Sequence, residues 1–225
     1  MDILNKIKYA IFDMDGTVVD SLAFWEVLWA DIGEKYFSDK SFRVSEEIDK
    51  YVRTKTLKDA CRVMREKCAI PDTDEGFFEF CAQGLEDYYK TAVRPKKGAV
   101  ELLNLLRERG VKMCIASATE PRLIRLSLEN CNLTDYFEFI ISCTDVGVGK
   151  EKPDVFLEAL RRLEGNIEDA CVFEDSFVAL ETAERAGFMT VGVFDRNNYE
   201  QERLKAASDI YVDENMSFID ILPKS

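Results

Sequence analysis

Two aspartates one residue apart, Asp13 and Asp15, are the first residues of the chain whose type and spacing suggest catalysis. They directly follow the apolar run 9–12, and consecutive apolar residues are typical of a strand buried on both faces of a sheet. Because Asp and Gly are common in turns, an ordinary turn is an alternative interpretation. Two carboxylates beside a buried strand are costly unless a cation neutralises them, so the pair favours a divalent metal site.

A second acidic pair, Glu174 and Asp175, follows the apolar run 171–173 in the same way. In the commonest doubly wound sheet the first and fourth strands are neighbours, so we expect both pairs at one edge of the sheet. The chain contains no histidine, and a site built only from oxygen ligands suits Mg²⁺. The sequence therefore predicts a magnesium site formed by four acidic residues: Asp13, Asp15, Glu174 and Asp175.

Two other segments carry groups that bind anions. Ser117 and Ala118 end an apolar run, and Pro121 marks the start of a helix. A hydroxyl and backbone N–H groups at a helix N-terminus bind an anion, although an ordinary capping loop offers the same groups. Lys150 precedes another predicted helix and would add a positive charge there, unless it belongs to a solvent-exposed run of charges with Lys152.

Short apolar runs alternate with amphipathic segments over most of the chain. The amphipathic segments end at glycines, as helices commonly do. Such alternation predicts an α/β fold with a doubly wound parallel sheet. The predicted strands are residues 9–12, 113–116, 139–141, 171–173, 190–193 and 210–212.

One long interval interrupts this alternation between the first and second strands. Residues 21–91 have the periodicity of helices and contain no strand candidate. The simplest explanation is an all-helical domain inserted after the first strand. We therefore expect a core domain of residues 1–20 and 92–225 and an inserted helical domain of residues 21–91.

The composition excludes several classes of protein. A chain of 225 residues without histidine has no Ser-His-Asp or Cys-His catalysis and no histidine-ligated zinc. The net charge of −13 argues against nucleic acid as a partner. The cysteines are odd in number, seven, include no C-x-x-C pair and lie mostly within apolar stretches, which indicates reduced thiols and a cytoplasmic location. No apolar stretch approaches the length of a membrane span, so we expect a soluble protein with no membrane partner.

Taken together, these segments resemble the haloacid dehalogenase-like (HAD) hydrolase superfamily, and the resemblance extends over essentially the whole chain. The helical insert is similar to the cap of the phosphoglycolate phosphatase and β-phosphoglucomutase branch. This resemblance implies a Rossmann-like core with an inserted helical cap. The four superfamily motifs occur in order: D-x-D-G-T at Asp13 to Thr17, the strand-end hydroxyl at Ser117, K-x-x-P-D at Lys150 to Asp154, and E-D-S at Glu174 to Ser176.

The resemblance assigns catalytic roles to four residues. Asp13 would be the nucleophile that forms an aspartyl-phosphate. Asp15 would protonate the leaving oxygen and then deprotonate the water that hydrolyses the intermediate. Ser117 and Lys150 would hold the phosphoryl oxygens. The distance to the Pro-Asp pair favours Lys150, with Lys152 as the alternative.

The resemblance also implies a Mg²⁺ cofactor and a set of substrate contacts. The metal would be coordinated by oxygen atoms of Asp13, of the Asp15 backbone carbonyl and of Asp175, with Glu174 in or just outside this ligand set. The substrate-binding residues would be Thr17, Ala118 and Arg53. Arg53 lies in a basic stretch that corresponds to a specificity loop of the cap, although a solvent-exposed basic turn explains that stretch equally well.

The function implied is a Mg²⁺-dependent phosphatase that hydrolyses a small soluble phosphomonoester through an aspartyl-phosphate. The alternative is a phosphomutase similar to β-phosphoglucomutase, but that branch has a histidine in the first cap helix, where this chain has Trp25. A dehalogenase is disfavoured because that class lacks the second Asp of the first motif, which is Asp15 here. A phosphorelay receiver is disfavoured because such domains are shorter and have no helical insert. We expect a small phosphorylated metabolite as partner and a monomer or weak dimer.

Overall fold

The computed structural model describes residues 6–53 and 55–221. Contacts divide the chain into two compact units. One unit consists of Met1–Leu22 and Val93–Ser225, and the other is Ala23–Ala92. Each unit is described by itself below.

The unit Ala23–Ala92 is all-helical in its described residues. The periodicity of this segment predicts helices. Thr56 caps the helix that begins at Leu57, since its side chain accepts from the backbone N–H of Asp59 at 3.2 Å. The core includes Leu28, Ile32 and Phe77, which are all fully or almost fully buried. The helices are α1 (Phe24–Phe37), α2 (Glu46–Arg53), α3 (Leu57–Lys67) and α4 (Asp74–Thr91).

In the other unit the described residues form one six-stranded parallel sheet in the order β3-β2-β1-β4-β5-β6. Each predicted strand is present, with bounds that differ by at most one residue. The prediction of a doubly wound sheet in which the first and fourth strands are neighbours is confirmed. The strands are β1 (Tyr9–Phe12), β2 (Lys112–Ser117), β3 (Ile140–Ser142), β4 (Ala170–Glu174), β5 (Met189–Val193) and β6 (Ile210–Val212).

Helices connect the strands of this sheet and cover it. Val155 and Phe156 of the helix before β4 are buried against Ile11 and Val172 of the sheet, which explains the apolar positions in that segment. The sequence does not predict the helices at 143–146 and 201–207, because the first has a single turn and the second buries only Leu204. These helices are α5 (Ala99–Glu108), α6 (Pro121–Asn130), α7 (Cys143–Val146), α8 (Asp154–Arg162), α9 (Phe177–Arg185) and α10 (Gln201–Ala207).

The central strand β1 fixes the position of the first acidic pair. Phe12 lies opposite Ile115 of β2 and Phe173 of β4, and the rings of Phe12 and Phe173 stack with centroids 4.2 Å apart. The backbone N–H of Asp13 continues the ladder by donating to the carbonyl of Phe173 at 2.9 Å. Burial of β1 and β4 on both faces therefore brings Asp13 beside the end of β4.

All seven cysteines lie in the described part of the chain, and each is free. Within those same residues, no helix combines the length and the apolar character that crossing a membrane requires.

Candidate active site

The first acidic pair lies in a tight loop that depends on Gly16. The carbonyl of Met14 accepts from the backbone N–H groups of Val18 and Val19, at 3.0 and 3.1 Å. Gly16 has φ +77°, and a Cβ there would lie 2.5 Å from a carboxylate oxygen of Asp175. Glycine is therefore required both for the backbone conformation and for the close approach of the loop to Asp175.

Three of the predicted metal ligands come together at the ends of β1 and β4. Carboxylate oxygens of Asp13, Glu174 and Asp175 lie within 4.8 Å of one another. The three residues are only 6%, 1% and 5% exposed. Burial raises the pKa of Asp13 to about 7, and the nearby Glu174 and Asp15 add to this rise although Lys150 opposes it. Burial also raises the pKa of Asp175 well above its usual range, again with help from Glu174 and Asp13.

Lys150 is the cation that contacts this cluster. Its Nζ lies 2.5 Å from Asp13 Oδ1 and 2.5 Å from Glu174 Oε1. Burial lowers the pKa of Lys150, but Asp13 and Glu174 outweigh this effect and raise it above its usual value, so the side chain stays positively charged. Lys152, the alternative, is exposed. The structure therefore brings Lys150, and not Lys152, to the acidic cluster.

The carboxylate of Asp15 has different partners from the other acids. Ser21 donates to its Oδ1 at 2.6 Å, and Thr119 donates to its Oδ2 at 2.7 Å. Ser117, which is 1% exposed, accepts from the backbone N–H of Thr119 at 3.1 Å. Two hydroxyls thus fix the orientation of Asp15, and the strand-end residue Ser117 supports one of them. Ser21 carries no motif that would predict this contact, because it is six residues from Asp15 and falls in the predicted insert.

The three predicted substrate-binding residues lie in different surroundings. Thr17 is fully buried and donates to Asp175 Oδ1 at 3.3 Å, so its hydroxyl supports a predicted metal ligand. Ala118 is exposed between β2 and α6. The substrate-binding assignments of Thr17 and Ala118 stay predictions.

Arg53 ends a helix instead of lying in a loop or a basic turn. Asp49 accepts from Arg53 Nε at 2.9 Å and from Trp29 Nε1 at 2.7 Å, and the Arg53 guanidinium lies 5.7 Å from the centre of the Trp25 ring. Two ion pairs between residues four apart add to the stability of α2, which is helical although its sequence is polar. The following residue, Thr54, lies outside the described residues. The assignment of Arg53 to the substrate stays a prediction.

Asn198 is a site residue that the sequence does not reveal. It follows β5, 23 residues after Asp175, in a polar turn that has no motif. Its side-chain Nδ2 donates to the backbone carbonyl of Asp175 at 2.7 Å and to Asp175 Oδ2 at 3.1 Å. Only the fold brings this side chain to the acidic cluster.

A parallel sheet with a buried acidic cluster and a lysine at its carboxyl edge is the arrangement that the superfamily resemblance implies, and comparison with known proteins agrees. The model of the haloacid dehalogenase-like hydrolase family matches residues 7–187. The chain therefore belongs to the haloacid dehalogenase-like hydrolases and is an enzyme of that family, as the four sequence motifs indicate.

Similar proteins include phosphatases. A phosphorylated carbohydrates phosphatase of Thermotoga maritima is 25% identical over 181 residues, which cover 80% of this chain and 82% of the relative. The mitochondrial (DL)-glycerol-3-phosphatase 1 of Arabidopsis thaliana is 31% identical over 200 residues, covering 85% of this chain and 65% of the relative. Among solved structures, β-phosphoglucomutase of Clostridium difficile is 19% identical with a TM-score of 0.71, covering 96% of this chain and 95% of that one. This last similarity shows the shared fold.

Proposed function

We propose that the protein is a Mg²⁺-dependent phosphatase that hydrolyses a small soluble phosphomonoester through an aspartyl-phosphate. The observation that carries this proposal is the bridge from Lys150 to Asp13 and Glu174 inside the buried acidic cluster. An anionic nucleophile is held there beside a cation that also attracts phosphate. The names of the two phosphatase relatives support this substrate class. The seven free cysteines support a cytoplasmic location.

The chemistry of the cluster fits a magnesium ion. Three buried carboxylates lie together, and Lys150 contacts two of them, so further positive charge is needed to offset their repulsion. The ligands are all oxygen, which Mg²⁺ prefers. Asp13, Asp175 and the backbone carbonyl of Asp15 would hold the ion, with Glu174 in or next to this set. When bound, Mg²⁺ would offset the charge of the carboxylates and of the phosphoryl oxygens.

In the first step, a carboxylate oxygen of Asp13 attacks the phosphorus atom, and the bond from phosphorus to the ester oxygen breaks. Asp15 donates its proton to the leaving oxygen, so the alcohol departs neutral. Ser21 and Thr119 keep the Asp15 carboxyl in one orientation during this transfer. Lys150 and Ser117 hold the phosphoryl oxygens.

In the second step, Asp15 takes a proton from a water molecule whose oxygen attacks phosphorus. The bond between phosphorus and Asp13 breaks, which frees inorganic phosphate and restores the Asp13 carboxylate. Asp15 ends the cycle protonated, ready for the next ester. The same residue therefore acts as acid and then as base.

A panel of phosphate esters with Mg²⁺ tests this proposal. The panel contains sugar phosphates, glycerol phosphates, phosphoglycolate, nucleotides and pyrophosphate, and the measurement is release of inorganic phosphate. We expect catalytic release from at least one small monoester. Release from none of them would overturn the proposal. Conversion of a sugar 1-phosphate into its 6-phosphate, faster than phosphate is released, would favour the phosphomutase instead.

We predict that Asp15→Asn slows phosphoenzyme formation, the first step, more for alkyl esters than for p-nitrophenyl phosphate. An alkoxide leaving group needs a proton, and loss of a general acid commonly costs about 10²–10⁴-fold. p-Nitrophenolate leaves without a proton, so the rate with p-nitrophenyl phosphate should decrease much less. Rapid-quench measurement of phosphoenzyme formation from each ester gives the two rates in the same variant. Equal losses for both esters would remove Asp15 as the acid.

We further propose that Arg53 contributes to the choice of ester. Arg53→Ala is expected to lower kcat/KM for the best ester of the panel by about tenfold or more, equivalent to about 1.4 kcal/mol. p-Nitrophenyl phosphate should respond much less. Lys55 is the second candidate in the same stretch, and Lys55→Ala tests it with the same two substrates. Thermal unfolding checks that loss of the Arg53–Asp49 ion pair leaves the protein folded. If both substrates respond alike to Arg53→Ala and to Lys55→Ala, the assignment of ester choice to this stretch is wrong.

A further inference from the structure

The two carboxylate oxygens of Asp175 are held by neutral donors on two different loops. Thr17 donates to Oδ1 at 3.3 Å, and Asn198 donates to Oδ2 at 3.1 Å. The same Asn198 nitrogen donates to the backbone carbonyl of Asp175 at 2.7 Å. One amide group thus contacts both the main chain and the carboxylate of a single residue, and this fixes the direction of the side chain relative to the backbone.

The orientation of the Asn198 amide is set by the turn in which it lies. The backbone N–H of Glu200 donates to Asn198 Oδ1 at 3.4 Å, so the oxygen faces the turn and the nitrogen faces Asp175. Within the turn, the backbone N–H of Asn198 donates to the carbonyl of Asp195 at 3.0 Å, and Gln201 Nε2 donates to the same carbonyl at 2.9 Å. The turn therefore presents a donor and not an acceptor to Asp175.

A buried ion pair anchors this turn. Asp195 is 1% exposed, and its carboxylate accepts from Lys96 Nζ at 2.5 Å and from the backbone N–H of Asn197 at 2.8 Å. Lys96 also donates to the carbonyl of Phe194 at 3.1 Å. The backbone N–H of Lys96 donates to the carbonyl of Val18, directly after the loop of the first acidic pair. Contacts thus run from Lys96 through the turn to Asp175.

From these contacts we infer that Asn198 is a positioning residue that holds the Asp175 carboxylate in the direction required to bind the metal, and that the Lys96–Asp195 ion pair keeps Asn198 in place. The inference rests on the proposed metal-dependent function. Removal of a residue that orients a metal-binding carboxylate commonly weakens metal binding by about 10–100-fold. Asn198 is not itself a ligand in this scheme, because it reaches Asp175 with its nitrogen.

The test is the affinity of the purified full-length protein for Mn²⁺, used as a spectroscopic substitute for Mg²⁺ and measured by electron paramagnetic resonance. Asn198→Ala is expected to raise the Mn²⁺ dissociation constant about tenfold or more. Asn215→Ala is the matched control, because Asn215 is an exposed amide that lines the same cleft as Lys96 and Asp195. The Mn²⁺ dissociation constant of Asn215→Ala should stay within twofold of the wild-type value.

A second measurement separates positioning from general loosening of the fold. With p-nitrophenyl phosphate, Asn198→Ala should need about tenfold more Mg²⁺ for half-maximal rate, while kcat at saturating Mg²⁺ stays within about threefold of wild type. A merely structural role would lower the rate equally at every Mg²⁺ concentration, and that result would overturn the inference.

The Lys96 contribution is tested by a double-mutant cycle. Lys96→Met should weaken Mn²⁺ binding in the wild-type background and add little in the Asn198→Ala background, because its effect passes through Asn198. Additive effects would overturn this part. A wild-type protein that binds no Mn²⁺ would overturn the proposed metal-dependent function together with this inference, whereas equal binding by wild type and Asn198→Ala would overturn the inference alone.

Discussion

Asp13→Asn is expected to lower kcat by at least about 10⁴-fold, the scale seen when a catalytic nucleophile is removed. An amide is a poor nucleophile, so no aspartyl-phosphate forms, and the change also removes one carboxylate from the metal cluster. The side chain is buried and nearly the same size, and Lys150 keeps its contact with Glu174, so the fold should be retained. Steady-state rates with p-nitrophenyl phosphate and thermal unfolding measure the two effects.

The control for this variant is Asp135→Asn, which makes the same chemical change at an exposed position in a short helical turn. Its rate should stay within twofold of wild type. Trapping of the phosphoenzyme gives a second readout, since acid-quenched wild-type protein should carry covalent phosphate and Asp13→Asn should carry none. Activity of Asp13→Asn within tenfold of wild type would exclude the covalent mechanism.

The fold was predictable because its main signals are local. The central strands β1, β2 and β4 each contain a run of consecutive apolar residues, and burial on both faces produces that pattern directly. The neighbouring positions of β1 and β4 then follow from the common order of doubly wound sheets, so the meeting of Asp13 with Glu174 and Asp175 could be expected. Helix α2 was missed because it buries only Asp49 and Val52, too few positions to give an apolar period.

The partners of the acidic residues were less predictable, because they depend on contacts between distant segments. Thr119 is 104 residues from Asp15, and the sequence presents it only as part of a strand-end loop. Asn198 lies in a turn whose composition suits any surface loop. Spacing to the Pro-Asp pair already favoured Lys150 over Lys152, and the loop before α8 brings Lys150 to the acidic cluster while Lys152 is exposed. Local patterns locate the carboxylates, whereas the groups that orient them emerge only from the fold.

Removal of divalent metal is expected to lower the rate by about 10³-fold or more. Asp13, Glu174 and Asp175 place three carboxylates within 4.8 Å, and Lys150 offsets only one of these charges. A phosphate ester approaching Asp13 would then meet uncompensated negative charge. Two unit charges 4 Å apart repel by about 4 kcal/mol at the effective dielectric constant of a protein surface, which corresponds to about 10³-fold in rate.

The measurement is phosphate release after treatment with EDTA and gel filtration, followed by addition of Mg²⁺ or Ca²⁺. Mg²⁺ should restore the rate, whereas Ca²⁺ should bind and inhibit. Ca²⁺ takes six to eight oxygen ligands where Mg²⁺ keeps to six, and the second oxygen of Asp13 is a ready additional ligand. An Asp13 carboxylate with both oxygens engaged has no free atom for attack on phosphorus. Circular dichroism of the EDTA-treated protein checks that the fold is retained. Full activity without metal would show that Lys150 alone neutralises the site and that the acidic cluster has another role. Equal activity with Ca²⁺ would instead show that Asp13 keeps an oxygen free for attack when Ca²⁺ is bound.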